Sequence, residues 1–341
     1  MRLATPRWWY VREGAPMRVT RLLARPASWI WAWATARRLA QGQPVDPGAP
    51  VICVGNLTLG GTGKTPVARA LALRLAARGW ATAVLSRGYG GALKGPVRVD
   101  PQTHTAADVG DEPLMLAMGG QGGDRLTVWV ARDRTAGALA AVAAGAQAIV
   151  QDDGFQNPAL RKTMSLVVVD GETRDEEWPF GDGAVFPAGP MREPLAAGLE
   201  RADAVVVLLP ADLADADPAL LNLFAGKPVL TAHLQPVGPP PAGPQLGFAG
   251  VGKPWKVEAA LRAAGCQLVD FAPFADHQRI PEGVLRFLER RAGASGAGLV
   301  TSEKDWARLP PAWRAKVTPW PVRARFDDEA ALDALLTGAG L

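Results

Sequence analysis

The chain has 341 residues, 48% hydrophobic and 21% charged, with 38 glycines, 30 prolines and a net charge of +4. That length and balance exclude a disordered chain and allow two ordinary domains. The two cysteines, Cys53 and Cys266, lie far apart in apolar contexts. They read as buried free thiols rather than a disulfide framework, and no zinc-type Cys/His spacing is present.

Most of the basic charge belongs to one short arm. Residues 1–38 carry Arg2, Arg7, Arg12, Arg18, Arg21, Arg25, Arg37 and Arg38 against Glu13, so the arm is +7 and the remainder about −3. The body therefore offers no nucleic-acid surface. Five of the twelve tryptophans (Trp8, Trp9, Trp29, Trp31 and Trp33) also fall in the arm. On a helical wheel Arg18, Arg21, Arg25, Ser28 and Thr35 share one arc. Leu22, Leu23, Trp29, Ile30 and Trp33 face them, with Trp31 to one side. This pattern predicts a helix lying in an anionic membrane interface. An amphipathic helix packed on the body is the alternative. Pro26 to Ala36 is only 11 residues without charge, short of the roughly 20 that a span needs. Nor does the segment resemble a secretory signal. Residues 41–50, with Pro44, Pro47, Gly48 and Pro50, read as a linker.

Strand-like runs at 51–54, 81–85, 127–130, 148–150, 166–169 and 204–209 then alternate with helical stretches, most clearly 66–77 and 134–144. That alternation predicts a parallel sheet covered by helices. Gly60-Gly61-Thr62-Gly63-Lys64-Thr65 follows the first apolar run directly. In such a turn the backbone N–H groups converge on phosphate oxygens, Lys64 reaches the terminal phosphates and the Thr65 hydroxyl can ligate Mg²⁺. Pro66 suits the first helical turn. Thr58 stands where the usual P-loop has its first glycine, but a plain surface turn would leave Lys64 and Thr65 unexplained. Nucleoside triphosphate binding is the reading.

Ligand-binding groups in such sheets belong in the loops leaving the carboxyl ends of strands. Polar clusters occur there: Ser86 to Gly91, Asp152-Asp153 and Asp170. Asp152-Asp153-Gly154-Phe155-Gln156 is good turn chemistry, but beside a P-loop it places an acid where a metal ligand is needed. Asp111-Glu112 precedes an apolar helical stretch. Asp111 is there either an N-cap or a carboxylate able to take a proton from a phosphoryl acceptor. His277, in Asp276-His277, would by itself be structural. The loop Pro187 to Leu195 presents Arg192 and Glu193, as an anion clamp or as a helix entry.

Beyond residue 210 the texture changes. A proline-rich stretch, 235–244, precedes further signals at 246–249, 255–264, 267–271, 282–291, 298–301 and 328–336, which read as a second, smaller α/β unit. The expected division is 1–45, a membrane-associating arm; 46–210, a nucleotide-binding unit; and 211–341, a smaller unit completing the site.

Taken in order, several motifs resemble the tetraacyldisaccharide 4′-kinase family of the lipid A pathway. They are Gly55-Asn56-Leu57-Thr58 before Gly60 to Pro66; Ser86 to Gly90; Gly110-Asp111-Glu112-Pro113; Asp152 to Gln156; Pro187 to Pro190; Arg192 to Leu195; Phe248-Ala249-Gly250; Asp276-His277; and Thr301-Ser302-Glu303-Lys304-Asp305. The resemblance implies a P-loop parallel-sheet domain, a second Rossmann-like domain and an N-terminal helix on the cytoplasmic face of the inner membrane. It implies transfer of the ATP γ-phosphate, with Mg²⁺, to the 4′-hydroxyl of tetraacyldisaccharide 1-phosphate. The lipid and the anionic membrane surface are the partners it implies; no nucleic acid or protein partner is expected. Lys64 and Thr65 would serve phosphate and metal, and Asp152 and Asp153 metal and charge organisation. Asp111 would be the base, with His277 as its partner and Glu112 in support. Gln156, Arg192 and Glu193 would line the cleft. Gln278 and Asn157 stand where the family often has histidines. The rival reading is a membrane-recruited nucleotide switch, which leaves His277 without a role.

Overall fold

The computed structural model describes residues 6–11, 18–119 and 124–341, apart from the side chains of Arg7 and Arg18. Arg2, Arg12 and Glu13, counted above into the basic arm, lie outside the described residues. A short 3-10 turn, Arg7–Tyr10, is followed by α1 (Arg18–Ala40), β1 (Val51–Gly55) and α2 (Lys64–Ala77). Then come β2 (Thr82–Ser86), β3 (Val97–Arg98), α3 (Ala106–Val109), α4 (Asp111–Met118) and β4 (Thr127–Val130). Next are α5 (Arg134–Ala143), β5 (Ala148–Asp152), β6 (Met164–Asp170), α6 (Leu195–Glu200), β7 (Ala204–Pro210), α7 (Pro218–Leu221) and β8 (Val229–Pro236). Past the prolines lie β9 (Pro244–Ala249), α8 (Pro254–Ala263), β10 (Gln267–Pro273), α9 (Glu282–Ala294), β11 (Gly298–Ser302), α10 (Glu303–Ala307), α11 (Pro311–Arg314) and β12 (Val317–Trp320). The chain closes with β13 (Val322–Phe326) and α12 (Glu329–Gly338).

Among the described residues the strands form two sheets. The larger has nine strands in the order β13-β8-β7-β6-β1-β5-β2-β4-β3. Only its two edges are antiparallel, β3 on β4 and β13 on β8. The smaller is a four-stranded parallel sheet, β10-β9-β11-β12. β1 is central and every one of its residues is buried, which explains its continuous apolar run. Ile52 and Val54 pack with Val67, Leu71 and Leu75 of α2 on one face. Cys53 packs with Leu57, Val167 and Val205 on the other. Both cysteines are free and buried.

Sheet pairing draws the line elsewhere than residue 210. β8 adds to β7 in parallel, and β13 returns from the small sheet to pair with β8. α12 follows and packs its Leu332 and Leu336 into the core around α2. Residues 211–236 and 322–341 therefore belong with the large sheet, and only the segment between them builds the small one. The proline-rich stretch marks the outward crossing, and Val237 N–H donates to Pro321 C=O (2.9 Å) beside the return.

Charged side chains join the two units. Arg69 of α2 and Arg323 of β13 both bond Glu303 of α10, with Arg323 Nη1 at 2.8 Å from Oε2. Asp170, at the end of β6, accepts from Lys253 Nζ (2.8 Å) and Lys256 Nζ (2.7 Å). The Lys253 ammonium also lies 4.5 Å from the Tyr10 ring centroid, which brings the N-terminal arm to the same junction.

α1 keeps the two arcs of the wheel and shows which one meets the body. Arg21, Ser28 and Thr35 are buried against the body, and Arg21 Nη1 bonds Asp182 (2.7 Å). Val19, Leu22, Leu23, Trp29, Ile30 and Trp33 form the outward stripe, each more than 60% exposed. The small and polar face thus packs on the protein, because Ser28, Thr35 and a paired Arg21 are compact enough to sit against it. No described helix is long and apolar enough to cross a membrane.

Candidate active site

β1 delivers the chain into the glycine-rich turn at the carboxyl edge of the large sheet. Thr58 bridges to Met191 and its carbonyl accepts from Asn56 Nδ2 (2.8 Å) and Arg192 Nε (2.9 Å). The residue that replaces the usual first glycine is thus an anchor for the loop. Gly63 caps α2 at φ 78°, and a Cβ there would lie 2.1 Å from a Leu208 methyl, so only glycine fits. α2 starts at Lys64, and the N–H groups that open a helix are available to phosphate oxygens.

Lys64 Nζ lies 3.7 Å from Asp153 Oδ1. Burial draws the Lys64 ammonium below its ordinary range, against the opposing pull of Asp153. Asp153 leaves β5 at φ 52°, which turns its carboxylate toward Lys64 and Arg192. Despite its desolvation, those two cations hold it well below the usual carboxylate range. Arg192 Nη1 donates to Asp153 Oδ1 (2.8 Å) and to Gln156 Oε1 (3.2 Å).

Asp152 is different. One of its oxygens accepts from the Thr65 hydroxyl (3.0 Å), while Oδ1 is buried with no hydrogen-bond partner. Burial, with help from the neighbouring Glu112 and Asp153 charges, pushes this carboxyl up to about 7. A buried carboxylate oxygen beside a threonine hydroxyl at a P-loop suits Mg²⁺, which takes one or two carboxylates and fills its shell with phosphate oxygens and water. No group of three His, Cys, Asp or Glu side chains able to hold a metal occurs among the described residues.

The opposite wall joins the two units. His277, held at φ 56° with its N–H on Gly250 C=O (3.2 Å), points Nδ1 at Asp111 Oδ2 (2.8 Å) and Oδ1 (3.1 Å). Burial raises the Asp111 carboxyl, but the His277 bond and the Lys304 and Arg308 charges outweigh it and bring it down to about 2. Lys304 is the central residue that the motif reading left open. Its Nζ reaches Glu112 Oε1 (2.9 Å), Asp276 Oδ1 (3.2 Å) and His277 Nε2 (3.3 Å). Tyr89, from the loop after β2, places its ring 5.1 Å from the imidazole. Gly252 lies between the two clusters: a Cβ there would come within 2.8 Å of Gly61 N and 3.5 Å of Asp276 Oδ2.

The structure thus brings together Gly60 to Thr65, Asp152, Asp153, Gln156 and Arg192 on one side, and Asp111, Glu112 and His277 on the other. Glu193, expected to line the cleft, is turned inward. It is 3% exposed, tied to Arg201 and to Gln156 Nε2 (2.9 Å), and its position supports Gln156. The role of Lys304 was hidden because its partner Glu112 lies 192 positions away.

A strand, a glycine-rich turn and a helix opening on Lys-Thr, with an acid ending the adjacent strand, define a P-loop nucleotide-binding protein. The family follows from comparison. The model for tetraacyldisaccharide-1-P 4′-kinase matches residues 20–339, and the chain belongs to that family. It is 64% identical to the tetraacyldisaccharide 4′-kinase of Caulobacter sp. (strain K31) over 341 residues, all of both chains. It is equally 64% identical to that of Phenylobacterium zucineum (strain HLK1) over 338 residues, 99% of this chain and 100% of the relative. The crystal structure of Aquifex aeolicus LpxK, described as an "apo" form in complex with ATP, superposes with a TM-score of 0.72. It covers 94% of this chain and 99% of its own at 24% identity, and so supports the fold.

Proposed function

We propose that this chain transfers the γ-phosphate of ATP to the 4′-hydroxyl of tetraacyldisaccharide 1-phosphate, giving the 4′-phosphorylated lipid A precursor. Besides family membership, the observation that carries the reading is the Asp111–His277 contact across the two units. A nucleotide switch has no need of a proton acceptor supplied jointly by a second unit.

In this reading the turn from Gly60 to Gly63 and Lys64 bind the phosphates. Thr65 and Asp152 would hold Mg²⁺, which neutralises charge on the β- and γ-phosphates when bound. Asp153 keeps Lys64 and Arg192 in place, and Gln156 steadies Arg192. Asp111 accepts the proton of the 4′-hydroxyl as its oxygen bonds phosphorus and the bond to ADP breaks. A carboxylate of low basicity suffices, because the loose transition state acidifies the attacking hydroxyl only late. His277 orients that carboxylate. Glu112 and Lys304 hold His277 from the other side.

The architecture divides into the arm, 1–45; a nucleotide unit built on the large sheet; and the smaller unit that supplies His277 and Lys304. Four acyl chains tie the acceptor to a bilayer, since each exposed CH₂ costs about 0.8 kcal/mol. The outward stripe of α1 and the exposed Arg25, Arg37 and Arg38 suit an anionic surface at the cytoplasmic face of the inner membrane.

The test is transfer of labelled γ-phosphate from ATP to tetraacyldisaccharide 1-phosphate in micelles, beside Lys64→Ala and Asp111→Ala. Labelled lipid from the wild type alone is expected. ATP hydrolysis without labelled lipid favours the switch and sinks the kinase.

A further inference from the structure

Helix α1 does more than cover the body: it grips the loop that carries Arg192. The Ser28 hydroxyl accepts from the Ala188 N–H (3.1 Å). The Trp31 indole packs edge-on against Phe186, ring centroids 4.9 Å apart. Trp31 Nε1–H donates to the Arg192 carbonyl (3.1 Å). On its other side the Arg192 N–H donates to the Leu57 carbonyl (2.7 Å), in the segment leading into the P-loop. The Arg192 backbone is therefore fixed between α1 and the phosphate loop. From that fixed point its guanidinium reaches Thr58, Gln156 and Asp153, and Asp153 faces Lys64.

Trp31 stands at the edge of the outward stripe. It is 44% exposed, next to Ile30, which is 67% exposed. A surface that seats Leu23, Trp29, Ile30 and Trp33 fixes the rotation of α1 about its axis, and with it the direction of the Trp31 N–H.

We propose that Trp31 is a positioning residue through which seating of α1 on a lipid surface sets Arg192 at the phosphate site. The idea rests on the kinase reading for its main readout. It would make transfer respond to the interface itself, beyond any gain in local lipid concentration. Arg192 would hold Asp153 and the incoming phosphates best when the helix is seated.

The experiment uses the full chain, wild type and Trp31→Phe, on vesicles of phosphatidylethanolamine and phosphatidylglycerol with and without the tetraacyl acceptor. Phenylalanine keeps the apolar ring against Phe186 and removes only the N–H donor. Vesicle partitioning is expected to be unchanged, while kcat at saturating ATP and lipid falls about fivefold, the worth of one net hydrogen bond. In an Arg192→Ala background the same change is expected to do nothing further, because the group being positioned is gone. A full kcat in Trp31→Phe with only the lipid KM raised would overturn the proposal and leave Trp31 a membrane anchor. An equal loss with Arg192 already removed would overturn it as well. A second readout does not need transfer: vesicles without acceptor are expected to tighten fluorescent ATP-analogue binding in the wild type and not in Trp31→Phe. Equal tightening in both refutes the coupling. A wild type that makes no labelled lipid but shows the difference in nucleotide binding fails the kinase reading and keeps this one.

Discussion

Asp111 Oδ2 and His277 Nδ1 meet at 2.8 Å although 166 positions separate them and each comes from a different unit. α4 and α10 pack against each other, which inserts Lys304 beside the pair. On the proposed joint action of the pair, its removal is expected to be non-additive. Asp111→Ala should cut transfer by at least about 10²-fold, within the range of general acid–base catalysis. His277→Ala should do nearly as much, and the double variant little more than either. Nucleotide affinity by fluorescence titration should stay close to wild type. Full additivity of the two losses would show that they act separately.

The same carboxylate leaves a mark on acid stability. Asp111 sits at about 2 in the folded chain and near 3.9 when unfolded. Its contribution is thus present above about pH 4 and is lost as pH falls through 2. The stability gap between wild type and Asp111→Asn, from urea melts, should narrow steadily across that window. A constant gap would mean that the carboxylate is not selectively stabilised in its charged form.

Asp152 has the opposite sign. Its folded value is raised to about 7, so its contribution is intact below about pH 4 and is lost as pH rises through 7. Without metal, Asp152→Asn should therefore raise the melting temperature at pH 8 by about 2 °C or more. The same variant should lose Mg²⁺-dependent tightening of ATP. EDTA should abolish transfer by the wild type while leaving the fold intact. A lower melting temperature for the variant at pH 8 would contradict the burial argument.

Glu303 neutralises two buried arginines at once, Arg69 and Arg323. Glu303→Ala leaves both cations without that partner in the interior, at a cost of about 3–5 kcal/mol. Calorimetry should show a drop of roughly 10 °C, whereas Glu329→Ala, in an exposed pair with Arg74, should shift the midpoint by about 1 °C or less.

For the arm, Leu23→Glu and Trp29→Glu place charge on the outward stripe of α1 without touching its packed face. Co-sedimentation with anionic vesicles should fall several-fold, with the melting temperature unchanged. Equal sedimentation would deny that this face meets lipid.

Much of this was legible in the sequence wherever the signal is local. The run 51–54, the turn after it and the periodicity of Val67, Leu71 and Leu75 are all written within one stretch of chain, and β1 and α2 lie where they indicate. Family resemblance, and not spacing, nominated His277 as the partner of Asp111. β8 and β13 escaped notice as members of the large sheet, because nothing local tells a strand which sheet it joins. β13, Val-Arg-Ala-Arg-Phe, carries two arginines, which suits its place at the edge of the sheet. Arg323 is tolerated there because Glu303 of the other unit neutralises it. Likewise a wheel separates the two arcs of α1 without saying which meets the body, and the contacts to Asp182 and Ala188, more than 150 residues on, turn the polar one inward.

The crossings at Pro236 and Val322 lie side by side, since those two residues are register partners in adjacent antiparallel strands. Topologically, the whole small sheet is the loop of one very long β-hairpin. Its two attachments amount to one, like a door hung on a single edge, and the covalent connection favours swinging over sliding. The strand pairing of the large sheet runs on unbroken across that seam, so its backbone ladder owes nothing to the insertion, and only side chains such as Glu303 tie the two together beyond it.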